Sequence, residues 1–96
     1  MVKVKTVDFL DHIEQYDDDL VIFSTNGIIE MGGDLFLFST EESEEVNDGY
    51  KYVLELYLVN EVLNVWSTWR NSKVPTLEEK IIALNYYAKN DAYLPI

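Results

Sequence analysis

Apolar residues after Thr6 recur at the spacing of one helix face. Val7, Leu10 and Ile13 recur every three residues, and Thr6 just before them is a favoured helix N-cap. This pattern predicts a short helix over residues 7–16.

Three short apolar runs then alternate with turn signals. They are rich in β-branched and aromatic residues, which favour strands. The runs are Leu20–Phe23, Ile28–Met31 and Leu35–Phe38. Asn26 and Gly27 favour a two-residue hairpin turn, because both central positions of that turn need a positive φ. The pattern therefore predicts three antiparallel strands.

The C-terminal half combines both periodicities. Apolar residues first alternate, which predicts a strand over 50–57, and helical spacing then predicts a helix over 60–71. Thr76 and Glu79 have the spacing of a capping box. A last helix is therefore predicted over 77–89.

These elements together predict an α+β fold. Its parts are an N-terminal helix, a three- to four-stranded antiparallel meander, and two C-terminal helices packed on one face. The 96 residues show no repeat or linker, so we expect a single α+β domain over 1–96. Hydrophobic residues make up 48% of the chain, which is enough for a small core.

The acidic residues are concentrated in one part of the chain. Residues 6–50 hold 13 of the 18 acidic side chains and none of the 7 lysines and arginines. Two clusters contain most of them: Asp17, Asp18 and Asp19, and then Glu41, Glu42, Glu44, Glu45 and Asp48. Both clusters are either solvated loops or parts of an acidic face that binds a basic surface.

The negative field restricts the classes of partner. Membrane surfaces and nucleic acids are anionic, so we expect direct binding to neither. A basic protein suits the field, above all a toxin or another nucleic-acid-binding protein, because complementary potentials speed association and fix its register. We therefore predict a non-enzymatic interaction protein, such as an inhibitor or immunity-type protein, that contacts its partner through both clusters and Tyr50. We also expect a cytoplasmic location and a monomer or weak homodimer.

Motifs for catalysis or cofactor binding are not evident. His12 is the only histidine, cysteine is absent, and no glycine-rich phosphate loop occurs. The run from Asp17 to Asp19 lacks the ligand spacing of a calcium loop. We therefore predict no catalytic, cofactor-binding or metal-binding residues. Two alternatives stay open: a small carboxylate-using enzyme or ligand-binding domain with an acidic pocket near Tyr52 or Trp69, and a self-associating structural module.

The tryptophans and the C-terminal tail carry structural expectations. Trp66 and Trp69 follow helical spacing with the valines before them, so we expect both rings in the core. Tyr93 and Leu94 follow the last predicted helix, and we expect them to pack back onto the core.

Three motifs of the C-terminal half resemble a small family of uncharacterised bacterial domains. They are Glu61-Val62-Leu63 with Trp66, Leu77-Glu78-Glu79-Lys80, and the ending Tyr-Tyr-Ala-x-Asn-Asp-Ala-Tyr-Leu-Pro at residues 86–95. The resemblance implies an intracellular bacterial protein of similar fold, but no activity and no site residues. In acidity and size the chain is also similar to immunity proteins that neutralise bacterial nuclease toxins.

Overall fold

The computed structural model describes residues 1–96 and shows a four-stranded antiparallel sheet with four helices. The strands are β1 (Val2–Lys5), β2 (Val21–Ser24), β3 (Asp34–Phe38) and β4 (Lys51–Glu55). The helices are α1 (Thr6–Asp11), α2 (Thr40–Ser43), α3 (Leu56–Thr68) and α4 (Leu77–Asn90), and a 3₁₀ turn, Ile13–Gln15, follows α1. This arrangement confirms the predicted α+β class.

The chain begins with a strand, so the prediction that it begins with a helix is wrong. β1 pairs antiparallel with β3, and Val4 lies opposite Leu35. Thr6 is the first residue of α1 rather than its N-cap, and its backbone N–H donates to the Gly33 carbonyl. The helix predicted over 7–16 is realised as α1 and the 3₁₀ turn. Four residues are too few to reveal a strand by alternation, and it is the pairing with β3 that makes β1 a strand.

The predicted strand Ile28–Met31 is instead part of the loop between β2 and β3. Gly27 has a positive φ of 81° but Asn26 does not, so the two residues do not form the predicted hairpin turn. The side chain of Asn26 accepts a hydrogen bond from the Ile28 N–H at 3.2 Å, which bends the chain locally. The antiparallel partner that follows β2 is therefore β3.

Asn85 of α4 holds this loop against the helices. The Ile29 N–H donates to Asn85 Oδ1 at 2.8 Å, and Asn85 Nδ2 donates to the Ile29 carbonyl at 2.8 Å. The Ile29 side chain is buried in the main core. The amide of Asn85 thus satisfies the backbone groups that a strand neighbour would otherwise have satisfied.

The strand order is β1-β3-β2-β4, so the sheet is not the predicted meander. β2 pairs with β3 on one side and with β4 on the other, and all four of its residues are buried. The pairing of β2 with β4 changes register between Ile22 and Phe23 of β2, which marks a β-bulge. β2 is therefore an interior strand, and its alternating side chains reach both faces of the sheet.

The main core lies between one set of sheet residues and helices α1, α3 and α4. Its buried members from the sheet include Ile22, Leu35, Leu37 and Leu54, and those from the helices include Phe9, Leu10, Val59, Val62, Trp66 and Leu84. The helix predicted over 60–71 begins earlier, at Leu56, and ends at Thr68. The capping box of Thr76 and Glu79 is confirmed at the start of α4. None of the helices combines the length and apolar character that crossing a bilayer requires.

Replacing Asn85 should destabilise the fold, because Asn85 makes two hydrogen bonds to the loop between β2 and β3. Asn85→Ala leaves the Ile29 N–H and carbonyl without their partner, and we expect the free energy of unfolding to fall by about 1–3 kcal/mol. Urea denaturation measures the change. Asn90→Ala is the matched control, because Asn90 makes one exposed bond to the Tyr86 carbonyl within its own helix. Equal stability losses in the two variants would contradict the role assigned to Asn85.

Candidate functional site

The second face of the sheet carries an aromatic cluster that is separate from the main core. Phe23 and Phe38 pack edge to face with ring centroids 5.0 Å apart. Tyr50 lies 4.9 Å from the Phe36 ring and 5.5 Å from the Phe38 ring. Val46 also packs on this cluster, so the segment between β3 and β4 covers part of the face. Tyr50, predicted as a partner contact, is partly buried and anchors that segment.

Beside the covered part, the same face forms a cavity of about 540 Å³. Its lining residues are Asp18, Asp19, Val21, Phe23, Thr40, Ser43, Tyr52, Glu55 and Tyr57, which together we call the acidic groove. The volume falls within the range of roughly 300–1,000 Å³ typical of ligand sites. A second cavity of about 540 Å³ lies on α4, but it has no acidic residue in its lining. The acidic residues therefore make the groove the candidate functional site.

Strand register gives the groove two different ends. Phe23 lies opposite Tyr52, whereas Val21, two residues further along β2, lies opposite Glu55. Two strand residues span roughly 7 Å. The groove consequently has an aromatic end at Phe23, and the Tyr52 side chain reaches from there to Glu55. The carboxylate end of the groove is at Glu55, next to the turn that carries Asp18.

Neutral hydrogen-bond donors hold two of the groove carboxylates. Asn60 Nδ2 of α3 donates to Asp18 Oδ1 at 2.9 Å, and the Tyr52 hydroxyl donates to the Glu55 carboxylate. Burial, followed by this contact with Glu55, raises the pKa of Tyr52 above that of a free phenol, which is itself a protonated donor at neutral pH. The carboxylates are thus oriented without being neutralised.

The carboxylates of Asp18, Asp19 and Glu55 have no cation within ion-pair distance. The ion pairs of the molecule lie elsewhere: Met1 amine with Glu42, Lys3 with Asp34, and Lys73 with Glu79. Three acidic residues therefore line one concave surface without an ion-pair partner.

Of the two predicted acidic clusters, only Asp18 and Asp19 line the groove. The Thr40 hydroxyl donates to the Asp19 carbonyl at 2.9 Å, which joins the α2 segment to the turn before β2. Asp17 is exposed outside the groove. Four further residues are exposed on α2 or after it, and we call them the outer acidic cluster: Glu41, Glu44, Glu45 and Asp48.

Glu42 has a structural role that sets it apart from the other acidic residues. Its side chain accepts from the Ser39 N–H at 2.9 Å and completes a capping box for α2. It also pairs with the Met1 amine at 2.9 Å. The Ser39 N–H, followed by the Met1 amine, lowers the pKa of Glu42 to about 2.

Sequence reasoning missed Glu55 and Tyr57, and it considered Tyr52 as a core residue, as an exposed contact or as a neighbour of an acidic pocket. The alternation around Tyr52 correctly indicated a strand, but it did not indicate that this strand lies beside β2. Trp66 is buried, as predicted, whereas Trp69 is 46% exposed and its core prediction is wrong. Trp69 is the C-cap of α3 and keeps helical backbone angles, but at this end of the helix its ring packs edge to face on Tyr93 instead of entering the core.

Comparisons of the chain with family models, with curated proteins and with solved structures give no match. The resemblance of the C-terminal half to a bacterial domain family therefore stays a prediction. The expected packing of the tail is confirmed, since Tyr93 and Leu94 lie against the main core. The Tyr93 hydroxyl also donates to Glu61 at 2.8 Å, and Arg70 donates to the Pro95 carbonyl at 3.1 Å.

The lowered pKa of Glu42 predicts a defined pH dependence. Because the pKa of Glu42 in the folded state lies below its usual value of 4.5, the contacts of Glu42 stabilise the fold above that pH and are lost as the pH falls toward about 2. A carboxyl-detected NMR titration should therefore give a midpoint near 2 for Glu42. Acetylation of the Met1 amine should raise that midpoint. A midpoint near 4.5 in the unmodified protein would show that these contacts do not form.

Proposed function

We propose that this chain is a non-enzymatic protein that binds a basic partner protein through the acidic groove. The observation that carries the proposal is the set of three carboxylates, from Asp18, Asp19 and Glu55, that share a concave surface with aromatic walls and have no cation beside them. Uncompensated carboxylates become costly when a partner excludes water from them. A partner that covers this groove must therefore bring positive charge.

The aromatic walls of the groove add apolar contact area, which the charged groups do not provide. Tyr and Trp side chains dominate the energetics of protein interfaces, because their rings offer large apolar contact areas and their polar atoms can still bond. Tyr52 and Tyr57 are 44% and 53% exposed, so both rings are available for contact. We infer that the groove is the centre of the interface.

The outer acidic cluster has a different part in this proposal. Charges at a rim mainly accelerate the encounter and make it dependent on salt, whereas groups at the centre determine how long the complex lasts. Glu41, Glu44, Glu45 and Asp48 are exposed and outside the groove. We assign them to steering. Together with the acidic turn before β2, they form the negative face that guides a basic surface to the groove.

The class of partner follows from the same electrostatics. Nucleic acids and membranes are repelled by this face, whereas a protein with a basic nucleic-acid-binding cleft is attracted by it. An inhibitor or immunity-type protein that covers such a cleft on a toxin, in the cytoplasm of a bacterium, is the form of this function that we propose. The similarity in size and acidity to immunity proteins supports it.

A ligand-binding domain for a small organic cation is the second candidate. The cavity of about 540 Å³ favours it, because that volume suits a small molecule as well as a side chain of a protein. The two candidates differ in the area they cover. A small cation touches only the groove, whereas a protein partner also responds to the outer acidic cluster.

Matched charge variants test the proposal. The groove set is Asp18→Asn, Asp19→Asn and Glu55→Gln, and the control set is Asp11→Asn, Glu14→Gln and Glu78→Gln. Both sets remove three negative charges, and the groove set keeps the hydrogen bonds from Asn60 and Tyr52, because an amide oxygen also accepts. We expect a basic protein captured from a bacterial lysate at about 0.15 M salt to be lost by the groove set and retained by the control set.

The outer acidic cluster gives a second readout of the same experiment. Glu41→Gln, Glu44→Gln and Glu45→Gln together should slow association with the captured protein and flatten its salt dependence, with a smaller effect on dissociation. Surface plasmon resonance separates the two rates. Retention of the partner by the groove set, or equal losses in the groove and control sets, would rule out the groove as the interface.

A further inference from the structure

We propose that the acidic groove receives an arginine side chain of the partner, with the guanidinium among the carboxylates and the methylene groups against the tyrosine rings. This inference rests on the proposed function and adds the chemistry of the group that occupies the site. It is carried by the arrangement of Asp18, Asp19 and Glu55 relative to Tyr52 and Tyr57.

The shape of the groove matches a long side chain that is apolar along its stem and cationic at its tip. Phe23 lies two residues along β2 from Val21, the residue opposite Glu55, which is roughly 7 Å of strand, and Tyr52 bridges this distance with its ring near Phe23 and its hydroxyl on the Glu55 carboxylate. Arginine and lysine both bury their methylene groups on apolar surfaces while the charged head stays among polar groups. A compact inorganic cation would leave the aromatic end unused.

The carboxylates favour a guanidinium over an ammonium group. Asp18 and Asp19 come from the turn before β2, whereas Glu55 comes from the end of β4, so the acidic residues reach the groove from different elements. A guanidinium has five N–H donors in a planar fork and can serve several carboxylates at once. An ammonium has three donors on a single nitrogen and is more strongly hydrated.

The tyrosines add to the same preference. Tyr57 stands in the first turn of α3 beside the groove, and its ring makes none of the close aromatic pairs that hold Tyr50 or Phe23 in place. Planar guanidinium groups stack on aromatic faces more often than ammonium groups do. The protein uses this chemistry internally, where the Arg70 guanidinium lies 4.5 Å from the centre of the Trp66 ring.

Two synthetic octapeptides of equal charge test the inference. One alternates glycine with arginine and the other alternates glycine with lysine, so they differ only in the cationic group. We expect the arginine peptide to bind about three- to tenfold more tightly at about 0.15 M salt, as measured by isothermal titration calorimetry. NMR chemical-shift changes should centre on Tyr52, Glu55 and Tyr57.

Variants of the groove connect this preference to its cause. Tyr57→Ala should weaken the arginine peptide several-fold and bring the ratio of the two affinities toward one. Tyr86→Ala is the matched control, because Tyr86 is a partly exposed tyrosine on α4 that lines a different concavity. Asp19→Asn with Glu55→Gln should weaken both peptides.

The outcomes separate the arginine site from the proposed function. Equal affinities for the two peptides, both reduced by Asp19→Asn with Glu55→Gln, would refute the arginine site and leave a general basic-partner groove intact. Affinities that none of the groove variants changes would refute the groove itself. A preference for arginine that survives Tyr57→Ala but is lost in Tyr86→Ala would move the site to α4 and overturn the inference.

Discussion

The position of β2 between β3 and β4 is the constraint on which the rest of the structure depends. Its residues are buried, and their alternation sends Ile22 into the helix-covered core and Val21 and Phe23 to the opposite face. One strand therefore supports both the hydrophobic core and the floor of the groove. Because side chains in a strand alternate between the two faces, a shift of β2 by one residue would send its core residues to the groove and its groove residues to the core.

The groove exists because the helices cover only part of the sheet surface. On the second face, Val46 and Tyr50 from the segment between β3 and β4 pack over the aromatic cluster, while Tyr52, Glu55 and Tyr57 stay beside it. The same segment carries the outer acidic cluster and meets the turn before β2 through Thr40. Because Val46 and Tyr50 anchor this acidic segment on the aromatic cluster, its negative charges lie near an aromatic surface. Such self-repulsion costs stability.

Local signals were sufficient for some elements and not for others. Helix α4 was predicted within one residue because its capping box and its apolar spacing are contained in the sequence of the helix itself. The N-terminal strand was missed, since the four residues of β1 become a strand only by pairing with β3. Ile28–Met31 was wrongly predicted as a strand, because its apolar pattern is used to dock the loop on Asn85. The candidate site was predicted in part, through Asp18 and Asp19.

The sequence alone determined the α+β class, the concentration of negative charge in residues 6–50 and the helix that ends the fold. These are properties of composition and of contacts between residues close in the chain. Only the tertiary structure decided which acidic residues line a common groove and that Glu55 and Tyr57 line it too. It also decided that the Glu42 carboxylate accepts from the Ser39 N–H and pairs with the Met1 amine. The physical reason is that strand order and helix ends depend on non-local packing, which periodicity does not encode.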